Sequence, residues 1–326
     1  MRVLIVKTSS MGDILHTLPS LTDAMQALPG IRFDWVVEEG FARIPTWHQT
    51  VDRVILVAFR RWRKAWFSTL IKADRKTFRD AVQAQHYDAI IDAQGLIKSA
   101  ALVARLAHGV KYGMNWKTAC EPLASLFYNR CYHIDKQQHA VERTRELFAK
   151  SLGYVKPASQ GVYDISQHFL RKIPDSPAYL IFLHATTRDE KHWPETHWRE
   201  LLRLLGTSGL RIKLPWGSPH EEERAKRLAK GFDYVDILPS MNLDELGLEL
   251  ANATAVVSVD TGLSHLTAAL DRPNITLYGP TDPNLIGSYG KNQYICRSIN
   301  SFQLSDLSVS TVWDKLKLIL SQLRAN

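Results

Sequence analysis

A chain of 326 residues is long enough for two domains of ordinary size, each with its own core. Hydrophobic residues make up 45% and charged residues 23% of it, which is typical of a soluble globular protein, and no apolar run reaches the roughly 18 residues that a membrane-spanning helix needs. The net charge of +8 favours an anionic partner: nucleic acid, an acidic lipid surface or a phosphorylated substrate.

The cysteines and the N-terminus indicate the cellular compartment. Cys120, Cys131 and Cys296 are widely spaced, form no metal-binding pattern, and are odd in number, which argues against a disulfide framework. The apolar run at the N-terminus is short and leads into a motif rather than a cleavage site, so we expect no signal peptide. These features predict a reducing, cytoplasmic location.

The first half of the chain alternates predicted strands and helices. A β-branched run predicts the first strand at 2–7, followed by a turn at 9–13 and a helix over 14–27. The further predicted strands are 33–37, 54–57, 89–92 and 109–112, and the further helices are 77–85, 99–106, 122–129 and 140–152. This alternation predicts a mainly parallel sheet.

A stretch rich in proline and glycine, 153–177, is the predicted linker, with domains at 1–160 and 161–326. Beyond it, the predicted strands are 179–183, 211–215, 255–259 and 274–278, and the helices are 194–208, 221–230, 243–252, 264–270 and 309–323. The terminal helix is a candidate for packing back on the N-terminal domain. The predicted fold class is α/β, with two Rossmann-like doubly wound domains facing across a cleft.

Residues 256–270, VVSVDTGLSHLTAAL, read as a buried strand, a glycine turn and a helix. Such a turn directs the unpaired N–H groups and positive potential of a helix N-terminus toward a ligand at the strand end. Asp260, Thr261, Gly262 and His265 all lie on it. A histidine alone is more often a core or capping residue, but beside these neighbours we expect His265 to face a phosphate.

A polar loop at 184–193, HATTRDEKHW, follows another predicted strand. Thr186 and Thr187 offer hydroxyl and backbone donors to phosphate oxygens, and Lys191 supplies the positive charge that a leaving diphosphate needs. Its polar composition alone would favour a solvated loop. Its position after a strand favours a binding site.

Three consecutive acids, 221–223, begin a predicted helix after the sequence LPWGSPH. Acids in a first helical turn commonly complement the helix dipole, which explains two of the three. Glu221 is the candidate for a ribose diol, because one carboxylate accepts hydrogen bonds from two hydroxyls.

The turn at 9–13, SSMGD, follows the first predicted strand. Ser10 or Asp13 could simply cap the next helix. The turn lacks the glycine spacing of a dinucleotide or triphosphate cradle. An aspartate at a strand end can also remove a proton from an acceptor hydroxyl, so Asp13 is the candidate general base.

Residues 60–72 form the most basic window of the chain. Its cations are Arg60, Arg61, Arg63, Lys64 and Lys72. Charges of this kind usually form a solvated face, but here Trp62 and Trp66 lie among them, which suits an anionic surface such as a phosphorylated lipid or nucleic acid. No nucleic-acid-binding signature accompanies them, so nucleic acid ranks second.

Several long motifs, in this order, resemble those of the lipopolysaccharide heptosyltransferases, the ADP-heptose:LPS heptosyltransferase family of GT-B glycosyltransferases, family 9. The resemblance covers nearly the whole chain. The motifs are KTSSMGDILHTLP (7–19), RRWRKAW (60–66), FLHATTRDEKHWP (182–194), LPWGSPHEEERA (214–225) and VSVDTGLSHLTAALDRPNITLYGPTDP (257–283). The resemblance implies transfer of L-glycero-D-manno-heptose from ADP-heptose to a Kdo residue of Kdo2-lipid A, with inversion at the anomeric carbon.

The resemblance also implies roles for individual residues. Asp13 would be the catalytic base, and Ser10, Gly12, Arg60, Arg61, Arg63 and Lys64 would bind the acceptor. Donor contacts would be Thr186, Thr187 and Lys191 at phosphate or heptose, Glu221 at the ribose, Met241 near the adenine, Asp260 at the heptose hydroxyls, and Thr261, Gly262 and His265 at the diphosphate. ADP-heptose is then a substrate, and we expect no cofactor and no essential metal. The expected location is peripheral, on the cytoplasmic leaflet of the inner membrane, without nucleic acid.

Three other functions remain open at this point. Within the family, the alternative is a heptosyltransferase II that acts on the first heptose. A non-hydrolysing nucleotide-sugar epimerase uses a similar two-domain scaffold and needs no acceptor. The positive charge would also suit a non-enzymatic binder of anionic glycolipid or nucleic acid.

Overall fold

The computed structural model describes residues 1–65, 68–170, 177–298 and 303–325. It divides into two units, Met1–Ile165 and Ser166–Asn326. The predicted linker spans this division, and its residues 171–176 lie outside the described residues, as does Trp66 of the basic window. Within the described ranges, every helix falls short of the length or apolar character that crossing a bilayer requires.

The first unit is built on a six-stranded parallel sheet. Its strands are β1 (Arg2–Val6), β2 (Arg32–Glu38), β3 (Val51–Val57), β4 (His86–Asp92), β5 (His108–Met114) and β6 (Arg130–Tyr132). They lie in the order β3-β2-β1-β4-β5-β6. The apolar run that forms β1 is buried because the strand lies in the middle of the sheet. The order reverses between β1 and β4, the place where doubly wound sheets bind ligands.

Short helices follow several of these strands. They are α1 (Met11–Leu15), α2 (Leu18–Ala27), α3 (Arg43–Thr46), α4 (Phe59–Lys64), α5 (Thr69–Gln83), α6 (Ile97–Ser99) and α7 (Ala140–Leu152), with a π-helical turn at Ala100–Ala104 and 3-10 turns at Glu39–Phe41 and Pro122–Phe127. Two predicted helices are therefore wrong, one in the residue at which it begins and the other in its type. The helix predicted at 77–85 begins at Thr69, and the helix predicted at 122–129 is a 3-10 turn.

The single helix predicted over 14–27 is also wrong. It begins earlier, at Met11, and is divided into α1 and α2. Pro19 explains the division, because its ring would clash with the carbonyl group four residues earlier in a continuous helix. Thr17 stabilises the break by donating its hydroxyl to the backbone oxygen of Asp13, at 2.9 Å. The earlier start places Asp13 in the first helical turn.

The second unit repeats the same topology. Its strands are β7 (Tyr179–Leu183), β8 (Arg211–Leu214), β9 (Val235–Ile237), β10 (Ala255–Val259), β11 (Asn274–Tyr278) and β12 (Gln293–Arg297). They are parallel, in the order β12-β11-β10-β7-β8-β9, so the reversal falls between β7 and β10. The helices are α8 (Glu195–Leu205), α9 (Pro219–Ala229), α10 (Leu243–Asn252), α11 (Gly262–Ala269), α12 (Pro283–Ile286) and α13 (Val309–Ala325), with 3-10 turns at Ser166–Phe169, Asp189–Lys191 and Leu304–Asp306.

The predicted α/β class with two doubly wound parallel sheets is confirmed. The sequence analysis missed β6, β9 and β12, which lie at sheet edges. β6 and β9 have only 3 residues each, and all three strands are only partly buried, so they lack the continuous apolar run that identified β7 and β10.

The packing of the terminal helix α13 back on the first domain stays a prediction. Within the second unit, α13 packs against α8, β11 and β12. Val312 and Leu316 are fully buried there, in a core that includes Trp193 and Trp198. Burial of its apolar face therefore anchors α13 to the second sheet.

Candidate active site

In each sheet the loops that follow the strands lie at one edge, because all the strands are parallel. In the first sheet, 7–13 follows β1, 39–41 follows β2, 58–64 follows β3 and 93–99 follows β4. These loops contain the predicted base and all the predicted acceptor contacts. The first sheet thus brings these candidates to its carboxyl-end edge, where open α/β sheets bind ligands.

Asp13 is held in place by its own helix cap. Its Oδ2 accepts hydrogen bonds from the backbone N–H and the hydroxyl of Ser10, both at 2.9 Å. Its Oδ1 lies 3.6 Å from Nζ of Lys7, and the side chain is 47% exposed. Gly12 is buried within the same helix. The carboxylate is therefore fixed in direction yet open to solvent.

Gln94 ties the loop after β4 to the loop after β1. Its Oε1 accepts hydrogen bonds from the backbone N–H of Thr8 at 2.8 Å, the hydroxyl of Thr8 at 3.2 Å and the backbone N–H of Ser9 at 3.2 Å. Lys7 adds a further link, because its Nζ donates to the backbone oxygen of Ala93 at 3.0 Å. The segment that leads into Asp13 is thus fixed from the neighbouring strand.

Asp92, at the end of β4, fixes the turn that carries Gln94. The carboxylate is fully buried and accepts hydrogen bonds from the N–H groups of Gln94 and Gly95 and from the hydroxyls of Ser99 and Tyr128, at 2.9–3.0 Å. Burial raises the pKa of Asp92, although these donated bonds act in the opposite direction. Gly95 has a φ of +66°, a left-handed conformation that favours glycine. This network shapes the turn that presents Gln94.

The basic segment begins beside the Asp13 loop. Glu38, at the end of β2, donates its N–H to the backbone oxygen of Thr8 at 3.0 Å. Its carboxylate accepts a hydrogen bond from the N–H of Arg60 at 3.1 Å, so it also holds the start of α4. Trp62 is buried against Phe78, so it belongs to the core rather than to a ligand surface.

The four cations of α4 differ in their surroundings. Arg61 forms ion pairs with Glu39, at 3.1 Å, and with Asp74. The guanidinium of Arg60 lies over the ring of Phe41, 5.9 Å from its centre. Arg63 and Lys64 are exposed. Arg61 therefore already has two carboxylate partners within the protein.

Arg143 is a candidate that sequence reasoning missed. It lies on α7, and the negative charge of Asp13 raises its pKa, although burial outweighs this and lowers the pKa of Arg143 overall. No motif surrounds Arg143, and 130 positions separate it from Asp13, so only the fold reveals that the charge of Asp13 acts on it.

The second sheet brings three loops together around Asp260, which follows β10. Its side chain is 7% exposed, and Oδ2 accepts hydrogen bonds from Nζ of Lys191 at 2.6 Å and from the hydroxyl of Thr281 at 2.5 Å. The hydroxyl of Thr186 donates to the backbone oxygen of Asp260 at 3.3 Å. Thr187, the residue that follows Thr186, is exposed. The predicted residues Thr186, Lys191 and Asp260 thus form one hydrogen-bonded group.

Thr281 and His192 complete this group and were not predicted. Thr281 lies after β11, so the rule that polar residues at strand ends form sites would have identified it. The backbone N–H of Thr186 donates to Nε2 of His192 at 3.2 Å, which requires an unprotonated Nε2. Burial, and then the nearby charge of Arg224, lower the pKa of His192, which favours that neutral form.

Helix α11 starts directly after Asp260. Thr261 is its N-cap residue and accepts, at its backbone oxygen, a hydrogen bond from the hydroxyl of Ser264 at 2.7 Å. Gly262 is the first helical residue, and His265 is buried in the first turn. The N-terminus of α11 therefore lies at the same sheet edge as the carboxylate of Asp260.

Glu221 and Met241 lie farther along this edge, after β8 and β9. Oε2 of Glu221 accepts a hydrogen bond from the N–H of Gly217 at 2.7 Å. This bond fixes the carboxylate and leaves its second oxygen for other partners. Met241 is partly buried and precedes Asn242, the N-cap residue of α10. Among the described contacts, neither Glu221 nor Met241 forms a hydrogen bond with Asp260. All three residues follow strands of the same parallel sheet and lie at its carboxyl end.

Carboxylate, histidine and cysteine side chains are the usual metal ligands in proteins. Across the described ranges, no three or more of them form a group that could hold a metal ion. The ammonium group of Lys191 supplies a cation beside Asp260 at this end of the second sheet.

Comparison with known proteins identifies the family. The model of glycosyltransferase family 9 (heptosyltransferase) matches residues 75–315. Lipopolysaccharide heptosyltransferase 1 of Escherichia coli K12 is 73% identical over 97% of this chain and 99% of its own length. A solved structure of the E. coli heptosyltransferase WaaC with ADP has a TM-score of 0.95 at 71% identity, covering 98% of this chain and 100% of that one. A second, with ADP-2-deoxy-2-fluoro heptose, has a TM-score of 0.92 at 70% identity, covering 98% and 99%. The chain belongs to glycosyltransferase family 9, the heptosyltransferases.

Proposed function

We propose that the chain is an inverting transferase that moves L-glycero-D-manno-heptose from ADP-heptose to a Kdo residue of Kdo2-lipid A, in the synthesis of the lipopolysaccharide inner core. The observation that carries this proposal is an order along the second sheet. Asp260, Lys191, Glu221 and Met241 follow the adjacent strands β10, β7, β8 and β9. Heptose, diphosphate, ribose and adenine follow one another in the same order in ADP-heptose. Adjacent strands lie about 5 Å apart, so the four positions extend over roughly 14 Å.

The donor would bind through complementary charges and hydroxyls. The ammonium of Lys191 has three donors, of which one goes to Asp260, leaving two for phosphate oxygens. The N-terminus of α11 adds backbone donors and positive potential. The proposed diphosphate contacts are Thr186, Thr187, Lys191, Thr261, Gly262 and His265. Asp260 would bind heptose hydroxyls, Glu221 the ribose diol, and Met241 the adenine, against which a flexible thioether side chain packs well.

Asp13 would act as the general base. It takes the proton of the acceptor hydroxyl as that oxygen attacks the anomeric carbon, while the bond from that carbon to the diphosphate breaks and ADP leaves. Lys191 and the N-terminus of α11 would stabilise the charge that develops on the leaving group. Because the protein supplies its own cation there, we propose that no metal is essential, and we expect turnover to survive treatment with a chelator.

The acceptor would be bound by the first unit. Ser10 and Gly12 precede the proposed base in the same turn and would contact the acceptor. Arg60, Arg61, Arg63 and Lys64 would bind Kdo carboxylates or lipid A phosphates. Arg61 already pairs with two carboxylates, so we expect Arg60, Arg63 and Lys64 to contribute more of the binding. A lipid-linked acceptor implies a peripheral position on the cytoplasmic leaflet of the inner membrane.

The deciding assay measures ADP release and product mass with ADP-heptose and heptose-free Kdo2-lipid A. We expect one heptose to be added to the acceptor. Use of only an acceptor that already carries the first heptose would indicate a heptosyltransferase II instead. A free or isomerised sugar formed from the donor alone would indicate an epimerase, and no ADP release with both substrates would indicate a non-enzymatic binder.

A further inference from the structure

A row of cations extends along α5 in the first unit, and all of them are exposed except Arg75, which is partly buried. It consists of Lys72, Arg75, Lys76 and Arg79, which we call the α5 stripe. The spacing i, i+3, i+4, i+7 places these residues on one side of the helix, over about 10 Å. Ile71, Phe78 and Val82 are buried on another side of α5, so the core holds the helix in place and fixes which way the stripe faces.

Few carboxylates neutralise the positive charge of the α5 stripe. It lines an open groove of about 510 Å³, and none of the described residues that line it carries a carboxylate; they are Thr69, Lys72, Ala73, Arg75, Lys76 and Arg79. Lys72, Lys76 and Arg79 are exposed and form no ion pair with any residue that the structure describes. Asp74, on the same helix, pairs with Arg61 of α4 instead. Three of the four stripe cations, Lys72, Lys76 and Arg79, therefore carry positive charge that no carboxylate of the described residues pairs with.

We propose that the α5 stripe docks the protein on the anionic phospholipid headgroups of a membrane surface. The proposal rests on the proposed function, because a lipid-linked acceptor is reached from a bilayer. A lysine or arginine close to an anionic bilayer strengthens binding about fivefold, so a small exposed cluster is enough for reversible attachment. An open groove with cations along one side suits mobile headgroups better than a single enclosed ligand. No nucleic-acid-binding motif accompanies it.

The α5 stripe is distinct from the basic segment of α4. The start of the α4 segment is held by Glu38, which also contacts the loop that leads into Asp13, so this segment belongs to the proposed acceptor site. None of the α5 cations is needed for the chemistry proposed above. Removing them should therefore weaken attachment to the membrane and leave turnover of a water-soluble acceptor unchanged.

The test is sedimentation with vesicles that contain no acceptor, made of phosphatidylcholine with or without phosphatidylglycerol. We expect the wild type to bind only the anionic vesicles, and less tightly at high ionic strength. The variant Lys72→Gln/Lys76→Gln/Arg79→Gln keeps good helix formers and should bind roughly 100-fold more weakly, at about fivefold for each charge. Lys226→Gln/Arg227→Gln/Lys230→Gln removes the same residue types from the second unit, and we expect it to bind as the wild type does.

Three results would overturn the proposal: no preference of the wild type for anionic vesicles, unchanged binding by the α5 variant, or an equal loss in the control variant. A raised KM of the α5 variant for a phosphorylated Kdo acceptor without acyl chains, with unchanged vesicle binding, would make the groove an acceptor subsite and equally contradict membrane docking. The same soluble acceptor separates the two proposals, since inactivity of the wild type toward it would count against the proposed function while the vesicle result stood.

Discussion

Two aspartates lie at the carboxyl ends of central strands, one in each sheet, and their surroundings differ sharply. Asp13 is 47% exposed, and the nearest ammonium, that of Lys7, is 3.6 Å away. Asp260 is 7% exposed, and Lys191 contacts it at 2.6 Å. Thr281 donates a second hydrogen bond to the same oxygen of Asp260.

This difference agrees with the two proposed roles, a general base for Asp13 and a binding group for Asp260. A general base must reach the hydroxyl whose proton it removes, and only Asp13 is open to an incoming molecule. Asp260 has one oxygen committed to an ion pair inside a buried network, so its other oxygen suits the fixed hydrogen bonds of substrate recognition. Position at a strand end predicts that a residue belongs to a site, and the surrounding contacts predict its role.

The largest expected effect is that of Asp13→Ala. Loss of a general base should lower kcat by about 10²–10⁴-fold. Steady-state kinetics at saturating donor and acceptor measure it, with Asp13→Asn as an isosteric companion that keeps the hydrogen bonding from Ser10. A variant with nearly wild-type kcat would remove Asp13 from the mechanism.

Lys191→Met should weaken ADP binding by roughly 10- to 100-fold, because it removes a charge-assisted contact and leaves Asp260 buried without its cation. The matched control is Thr281→Val, which removes only a neutral hydroxyl from the same carboxylate, and it should cost several-fold. Calorimetric titration with ADP compares the two. Equal affinities in the wild type and Lys191→Met would show that the ammonium does not hold the diphosphate.

Gln94 offers a way to disturb Asp13 without touching it. Gln94→Met removes the oxygen that holds Thr8 and Ser9 and should lower kcat about tenfold, as expected for losing one or two hydrogen bonds, with ADP binding unchanged. Gln94→Glu keeps an accepting oxygen but loses the NH2 group, so it should restore most of the rate. Equal losses in both variants would mean that the NH2 group matters instead of the oxygen.

The smallest expected change follows neutralisation of Arg60, Arg61, Arg63 and Lys64 together. The acceptor KM should rise several-fold, because exposed charges contribute modestly and are screened by salt, while affinity for ADP-heptose stays the same. Unchanged acceptor kinetics at low ionic strength would rule out this segment as an acceptor contact.

Local patterns predicted the central strands and the residues that follow them. The runs that form β7 and β10 are fully buried and largely apolar, Thr186 lies three residues after β7, and Asp260 directly follows β10. Gln94 and Arg143 could not be found in this way, since their relation to Asp13 depends on which strands become neighbours and where α7 packs. The break between α1 and α2 was missed because the apolar spacing continues across it, although Pro19 marks it.

One titration tests the division of roles between the two aspartates most directly. ADP-heptose is titrated calorimetrically into Asp13→Asn and Asp260→Asn, without acceptor. The account predicts an affinity within about twofold of the wild type for Asp13→Asn, and at least about tenfold weaker binding for Asp260→Asn, because a buried charge-assisted network is lost. Weak binding by Asp13→Asn together with wild-type affinity in Asp260→Asn would contradict it.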